Sequence, residues 1–226
     1  MGLTHKLYRG LRGLTAKEGV PRGFYQPRVR RRAARALAGL EGLLLDVGCG
    51  RGFYLEEAAA SAPKLALFGI DQDARQLDGF TRSYLDGHGG SKALLVAARA
   101  ETLPFASETF DVACCLNTLY NLPTLDVIRT FLMEMARVVK TGGRCIIDIR
   151  NRLNPATALR FKLLKWHDTT LGHPLRTYTA SELESALSGT GLQIVRQHRI
   201  GALRSPFCPI IVFELEKSPA MPQSNS

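Results

Sequence analysis

The sequence lacks the features that would place it in a membrane, in a disulfide framework or around a metal. No apolar run in its 226 residues approaches the ~20 residues that a membrane span needs. The first residues lack the apolar core of a secretory signal, and no two of the five cysteines form a CxxC pair. We therefore expect one cytoplasmic domain with buried, reduced cysteines and no metal site.

Acidic residues are also scarce, and none lies between Glu18 and Glu41. The net charge is +10 and the pI is about 9.7, which favours encounters with anions. A helix is predicted over residues 28–40, with apolar residues on one face. Its other face carries Arg28, Arg31, Arg32 and Arg35. This basic face is either the solvated side of a helix packed on a sheet or a patch that steers an anionic partner.

What is present, between residues 43 and 60, is a strand, a glycine turn and a helix. Residues 43–47 form a short apolar run that predicts a buried strand, with Asp46 near its end. Glycines then follow at alternate positions, namely Gly48, Gly50 and Gly52. This order seats a nucleotide-like ligand at the carboxyl edge of a parallel sheet. Because the third glycine of a GxGxxG motif would fall on Phe53, the spacing disfavours a dinucleotide.

Strands and helices alternate through the rest of the chain. Further strands are predicted at 64–70, 92–98, 110–116, 144–149, 192–200 and 210–216. Helices are predicted at 74–86, 126–140, from 154 to about 166, and from Thr179 to about Gly189. The alternation predicts an α/β protein with a doubly wound, mostly parallel, Rossmann-like sheet. Residues 218–226 are predicted to be a disordered tail.

Four segments in this order resemble one family. They are residues 45–52 (LDVGCGRG), 68–71 (FGID), 100–105 with 110–112 (AETLPF and FDV), and 137–144 (RVVKTGGR). The chain resembles the class I S-adenosylmethionine-dependent methyltransferases, a broad group that includes small-molecule O-, N- and C-methyltransferases. The resemblance implies a seven-stranded sheet whose last strand is antiparallel. It also implies an enzyme that uses S-adenosylmethionine as its cofactor.

The resemblance implies roles for the residues at the strand ends. The glycine turn would approach the methionine and ribose portion of the cofactor, and Asp46 would orient the turn and the cationic amino end. Asp71 would accept hydrogen bonds from both ribose hydroxyls, the alternative being a turn-forming acid. The implied cofactor contacts are Asp46, Gly48, Cys49, Gly50, Gly52, Asp71, Gln72, Ala100, Glu101 and Asn117.

The chain departs from the family pattern at Arg99, where close relatives commonly carry an Asp that recognises adenine. Adenine would then be held by backbone groups around Ala100 or by Glu101, and the alternative for Glu101 is a surface acid.

The substrate pocket is expected at the carboxyl ends of the first, fourth and fifth strands. The implied organisation is an N-terminal lid and basic helix (1–40), a methyltransferase domain (41–217), and an insert (150–177) over this pocket. Substrate contacts are predicted at Tyr25, Tyr120, Arg150 and Asn151. The candidate general bases are His167, Asp168 and His173, against the alternative of ordinary loop residues.

The predicted reaction transfers the methyl group to an oxygen, nitrogen or carbon of a small molecule. Whether this small molecule carries an anionic group is left open. One alternative is an RNA methyltransferase that uses the Arg28–Arg35 patch. The other is a non-catalytic protein that keeps the cofactor pocket and acts as a binding partner. The oligomeric state is left open.

Overall fold

The computed structural model describes residues 25–77, 93–164, 175–201 and 205–219, which form one seven-stranded sheet flanked by helices. The strands are β1 (Gly42–Val47), β2 (Leu65–Asp71), β3 (Ala93–Ala97), β4 (Phe110–Cys115), β5 (Val139–Arg150), β6 (Leu192–Ile200) and β7 (Ile210–Lys217). The helices are α1 (Gln26–Ala36), α2 (Phe53–Ser61), α3 (Leu125–Val138), α4 (Pro155–Leu164) and α5 (Ala180–Leu187). A 3-10 turn spans Leu119–Asn121.

The strand order is β3-β2-β1-β4-β5-β7-β6. β1 pairs in parallel with both β2 and β4, and β7 pairs antiparallel with both β5 and β6. The predicted doubly wound sheet with an antiparallel last strand is therefore confirmed. Because the chain winds outward in both directions from β1 and β4, the crevice at their carboxyl ends is where such sheets bind ligands.

Helices cover both faces of the sheet with separate apolar layers. On one face, Val29 of α1, Leu37 directly after α1 and Leu55 of α2 are fully buried against the sheet. On the other face, Phe131 of α3 packs with Leu183 of α5 in the larger core cluster. The basic helix predicted over 28–40 is thus one of the packed layers, and Arg28, Arg31 and Arg35 are exposed on its outer side. It ends at Ala36, earlier than predicted, because the chain turns away there toward Gly39, which has a φ of 79°.

Two helix starts follow from local chemistry. α1 begins near Pro27, whose fixed φ suits a first helical turn. α5 begins with a capping box in which Thr179 accepts from the Glu182 backbone N–H while the Glu182 side chain accepts from the Thr179 N–H. The predicted start of this helix at Thr179 is confirmed, as are the last two predicted strands, which pair antiparallel as β6 and β7.

The junction between α3 and β5 differs from the prediction. The Thr141–Gly143 segment was expected to separate the helix from a strand starting at Arg144, but β5 starts directly at Val139. The reason is a register shift against β4 between Phe110 and Val112, which absorbs the extra residues. Gly142, with φ of 75°, makes this possible without strain.

Some predicted elements fall partly or wholly outside the described residues. The helix predicted over 74–86 is helical from 74 to 77, and its remainder is not described. In the described ranges, no helix is long and apolar enough to span a membrane. All five cysteines are free and buried, as expected.

Candidate functional site

The glycine turn, Gly48–Gly52, leaves β1 and lies on the end of β2. The backbone N–H groups of Gly48 and Cys49 both donate to the Ile70 carbonyl, at 2.8 and 2.9 Å. All three glycines have positive φ, a conformation that a Cβ disfavours. At Gly48 space is also limiting, because a Cβ there would lie 2.6 Å from Thr118 Oγ1. The sequence of this turn is therefore required by its backbone geometry.

Asp71 ends β2 beside the turn, and both its carboxylate oxygens are held by backbone donors. Gly50 donates to Oδ2 and Asp73 donates to Oδ1, each at 2.9 Å. A carboxylate oxygen can accept two hydrogen bonds, so each keeps capacity for one more donor. A Cβ on Gly50 would meet nothing closer than 4.0 Å, so the space between the turn and the carboxylate is open. A diol such as a ribose fits this arrangement.

Asp46 lies beneath the turn, with 2% of its surface exposed. Burial, and after it the nearby charge of Asp71, raises the pKa of its carboxyl to about 8. A cation bound above the turn would offset both effects. The buried acid therefore suits a ligand with a positively charged end, such as the amino group and sulfonium of S-adenosylmethionine.

Cys49 and Gln72 occupy different environments. The Cys49 thiol is buried against β2, since a Cβ on Gly69 would lie 2.9 Å from its sulfur. Burial raises the pKa of this thiol, with Asp46 and Asp71 adding to the effect, so it is not a nucleophile. Gln72 is exposed immediately after Asp71, at the open side of the turn.

Glu101 is paired with the residue that departs from the family pattern. Arg99 Nη2 donates to Glu101 Oε1 at 2.9 Å, in the loop that follows β3. Ala100, between them, is partly buried and packs against the core. Glu101 thus already accepts a hydrogen bond from Arg99 at one carboxylate oxygen. The backbone around Ala100 is therefore better placed than Glu101 to bond a ligand.

Asn117 follows β4 and is clamped by two residues of β5. Its backbone N–H donates to Asp148 Oδ1 at 2.5 Å, and its side-chain oxygen accepts from Arg150 Nη2 at 2.5 Å. Arg150 Nη1 also donates to Asp148 Oδ2 at 2.5 Å. Asn117 has a φ of 58°, a left-handed conformation that Asn tolerates better than most residues. Burial raises the pKa of Asp148, and Arg150 opposes that shift.

This clamp also fixes a wall of aromatic residues. The Arg150 guanidinium lies over the Tyr120 ring, 4.9 Å from its centroid. The Tyr120 and Phe161 rings pack edge to face with their centroids 5.7 Å apart. Burial is the main cause that raises the pKa of Tyr120. Thr118, next to Asn117, packs on Gly48 and joins this wall to the glycine turn.

Tyr25 and Asn151 lie elsewhere. Tyr25 precedes α1, with the Arg28 guanidinium 5.9 Å from its ring centroid, and packs on the core of that face. Asn151 is fully buried, and its side-chain nitrogen donates to the carbonyls of Pro206 and Cys208, both at 2.7 Å. The Asn151 side chain therefore anchors the loop before β7, and we leave it out of the proposed substrate surface. His167, Asp168 and His173 lie outside the described residues.

The sequence-based selection of site residues missed Asp148, Thr118 and Phe161. Asp148 had a usable signal, because residues two apart on a strand share a face and Arg150 was already a candidate. Thr118 and Phe161 lie in segments expected to wall the substrate pocket, 117–121 and 150–177, but neither residue was singled out, because their contacts join segments far apart in the chain.

Comparison with known proteins agrees with this geometry. Residues 45–147 match the family described as Methyltransferase domain. Sterol 4-C-methyltransferase strm-1 of Caenorhabditis elegans is 30% identical over 109 residues, which are 47% of this chain and 31% of that protein. The ubiquinone/menaquinone biosynthesis C-methyltransferase UbiE of Syntrophotalea carbinolica is 31% identical over 133 residues, 58% of this chain and 54% of that protein. The matched stretches thus span about half or less of these relatives.

The fold is shared with solved structures at low sequence identity. The crystal structure of the YcgJ protein from Bacillus subtilis aligns with a TM-score of 0.68 and 16% identity, over 85% of this chain and 99% of that one. Residues 45–147 therefore match a methyltransferase domain, and they lie within a sheet that has the Rossmann-like fold of the solved structure.

Proposed function

We propose that the protein transfers a methyl group from S-adenosylmethionine to a small-molecule acceptor. The observation that carries this proposal is the hydrogen bond from Gly50 to Asp71. It holds a carboxylate that can accept from the hydroxyls of a diol beside an open glycine turn, at the carboxyl edge of the sheet. The cofactor, when bound, supplies a methyl group already activated by its sulfonium charge. The protein's part is to align donor and acceptor and to exclude water.

Each residue of the site has a proposed task toward that cofactor. Asp71 accepts from the ribose hydroxyls, and the glycine turn approaches the ribose and the methionine. Asp46 stabilises the cationic end, and Asn117 borders the methionine from the other side of the crevice. The remaining contacts, toward the ribose and adenine, are Cys49, Gln72, Ala100 and Glu101. Backbone groups at Ala100 are the proposed adenine partners, because Arg99 occupies Glu101.

The acceptor wall is proposed to be Tyr120 and Arg150, and the substrate contact predicted for Tyr25 stays a prediction apart from that wall. Both curated relatives are named C-methyltransferases, which favours a carbon acceptor over oxygen or nitrogen. An acceptor that must lose a proton needs a base, typically worth 10²–10⁴-fold in rate. His167, Asp168 and His173 remain the proposed candidates for that base.

The test follows label from the cofactor. Purified protein is incubated with S-adenosylmethionine carrying a radiolabelled methyl group and with extract separated into small molecules, RNA and protein. We expect label in the small-molecule fraction. Label found only in RNA would replace this proposal with the RNA methyltransferase, and label in no fraction would favour the non-catalytic binding protein.

The RNA alternative rests on the arginines of α1, and two of the arginines on this helix are already paired. Arg30 Nε lies 2.9 Å from Glu57 Oε1, and Arg32 Nη2 lies 3.0 Å from Glu214 Oε1. Arg31 and Arg35 are exposed. Electrostatic RNA binding would weaken steeply as salt is raised, so absence of RNA binding at low salt rejects this alternative.

A further inference from the structure

A cavity of about 320 Å³ lies behind the aromatic wall, between α4 and the segment 175–178. Phe161 separates it from the proposed reaction centre, because its ring contacts Tyr120 and also lines the cavity. A larger depression of about 660 Å³ lies between α5 and the start of β6. Since β6 runs parallel to β5, that depression is at the opposite edge of the sheet from the glycine turn.

The surface of the cavity is partly apolar. Leu125, Phe161, Leu175 and Tyr178 contribute to its lining, and Tyr178 is fixed there because its hydroxyl donates to the Leu122 carbonyl at 3.0 Å. Apolar surface with a few convergent polar groups is typical of small-molecule sites. A volume of about 320 Å³ lies at the small end of the range for such sites, which is roughly 300–1,000 Å³.

The charges around the cavity do not balance. Among the described residues that line it, three are cationic, Arg152, Lys162 and Arg176, and one is a carboxylate, Glu182. Arg152 and Glu182 form an ion pair at 2.6 Å. Within the described ranges, no carboxylate pairs with Lys162 or Arg176, and both are exposed. Two cations are thus left beside apolar surface.

The neighbouring site adds to the same imbalance. Asp148 pairs with Arg150. The pKa of Arg160 on α4 is lowered, mainly by burial and then by the nearby positive charge of Arg150. In the part of the chain that the structure describes, Arg160 has no carboxylate partner. The wall between cavity and reaction centre is therefore also positive.

We propose that this cavity binds the non-reacting, anionic end of the acceptor, so that the substrate is a small amphipathic carboxylate or phosphate. The inference rests on the proposed function, since it takes the acceptor's other end to reach the glycine turn past Phe161. Lys162 and Arg176 would pair with the anion, and Phe161, Leu175 and Tyr178 would contact the apolar body. Binding of the remote end would align the reacting atom.

Two probes of equal chain length and opposite charge test the site, namely octanoate and octylammonium. Binding of each to the purified full chain is followed by ligand-detected NMR titration. We expect octanoate to bind and octylammonium not to bind. Equal binding of the two, or no binding at millimolar octanoate, overturns the proposal.

Variants assign the binding to the cavity. Lys162→Ala and Arg176→Ala should each weaken octanoate binding by about tenfold or more, because each removes a charge-assisted hydrogen bond. Lys162→Arg and Arg176→Lys should restore most of it. Arg144→Ala, an exposed cation near the start of β5's paired segment, is the matched control and should change nothing. Unchanged octanoate affinity in both alanine variants contradicts the assignment.

S-adenosylmethionine binding is measured in parallel to separate this inference from the proposed function. Charge-selective octanoate binding by a protein that does not bind the cofactor would reject the proposed function and leave the cavity assigned as an anion site. Cofactor binding and methyl transfer by a protein without charge-selective octanoate binding would reject the cavity assignment alone.

Discussion

The backbone N–H of Gly50 donates to Asp71 Oδ2 across 2.9 Å, and this contact joins the turn after β1 to the end of β2. In the described ranges the carboxylate is held by backbone donors, so the charge of Asp71 stays available to a ligand. The same charge raises the pKa of the buried Asp46 below the turn. Two acids therefore face the crevice at different depths, one accessible to hydroxyls and one suited to a cation.

Alanine at two glycines of the turn should separate the cost of a steric contact from the cost of a positive φ. Gly48→Ala combines positive φ with a Cβ 2.6 Å from Thr118 Oγ1, so we expect it to lower the free energy of unfolding by about 3 kcal/mol. In Gly50→Ala the added Cβ meets no atom closer than 4.0 Å, so this variant should cost only about 1–2 kcal/mol, from its positive φ. Urea denaturation measures both.

The control for this pair is Thr118→Ala, which removes the two atoms nearest to the added methyl group. The double variant Gly48→Ala/Thr118→Ala should be more stable than Gly48→Ala alone. If the two glycine variants lose the same stability, steric contact with Thr118 is not what the glycine at position 48 avoids.

The raised pKa of Asp46 predicts how stability depends on pH. The folded protein keeps the Asp46 carboxyl protonated up to about pH 8, whereas the unfolded chain releases this proton near its ordinary value of 3.8. Between these values the folded state binds more protons, so the contribution of Asp46 to stability falls as pH rises. Asp46→Asn removes this dependence.

We therefore expect wild type to lose stability relative to Asp46→Asn between pH 5 and pH 8, measured as the difference in free energy of unfolding. Comparing the two proteins at each pH cancels the contributions of the other titrating groups. A difference that stays constant, or that changes in favour of wild type as pH rises, would show that Asp46 is ionised in the folded protein.

Removing Arg150 should leave Asp148 as an unpaired buried acid. Arg150→Met is expected to lower the free energy of unfolding by about 3–5 kcal/mol, because the pair lies in the interior. The double variant Arg150→Met/Asp148→Asn should recover part of that loss. Arg152→Met, which breaks the more exposed pair with Glu182, serves as control and should cost about 1 kcal/mol or less. Equal losses from the two single variants would contradict the buried-pair account.

Much of the fold could be predicted because its signals are local. Apolar runs such as 43–47 and 110–116 carry enough hydrophobic residues to require burial, and Thr179 with Glu182 marks a helix start within four residues. The α3–β5 junction could not be predicted in the same way. Its path depends on a register shift between Phe110 and Val112 of β4. The local sequence at 141–143 does not indicate how this segment pairs with a strand that lies far away in the chain.

In the site, too, the residues with local sequence signals could be predicted, and those defined by contacts between distant segments could not. The glycine turn and Asp71 could be predicted because they directly follow or end predicted strands, and open parallel sheets bind ligands at the carboxyl ends of their strands. Arg150 was predicted to meet a substrate anion, yet its partners are Asp148, on the same strand, and Asn117, in the loop after β4. The cations of the cavity, Lys162 and Arg176, stand on separate segments, and only the fold brings them together.

The central claim is that Asp71 and the glycine turn form an S-adenosylmethionine site, and calorimetric titration tests it most directly. Wild type should bind S-adenosylmethionine, and Asp71→Ala should weaken that binding by about tenfold or more, because the variant loses an ionised acceptor for the ribose hydroxyls. Glu101→Ala is the comparison, and we expect the smaller effect there. Wild-type affinity in Asp71→Ala, or no binding by wild type, would contradict the account.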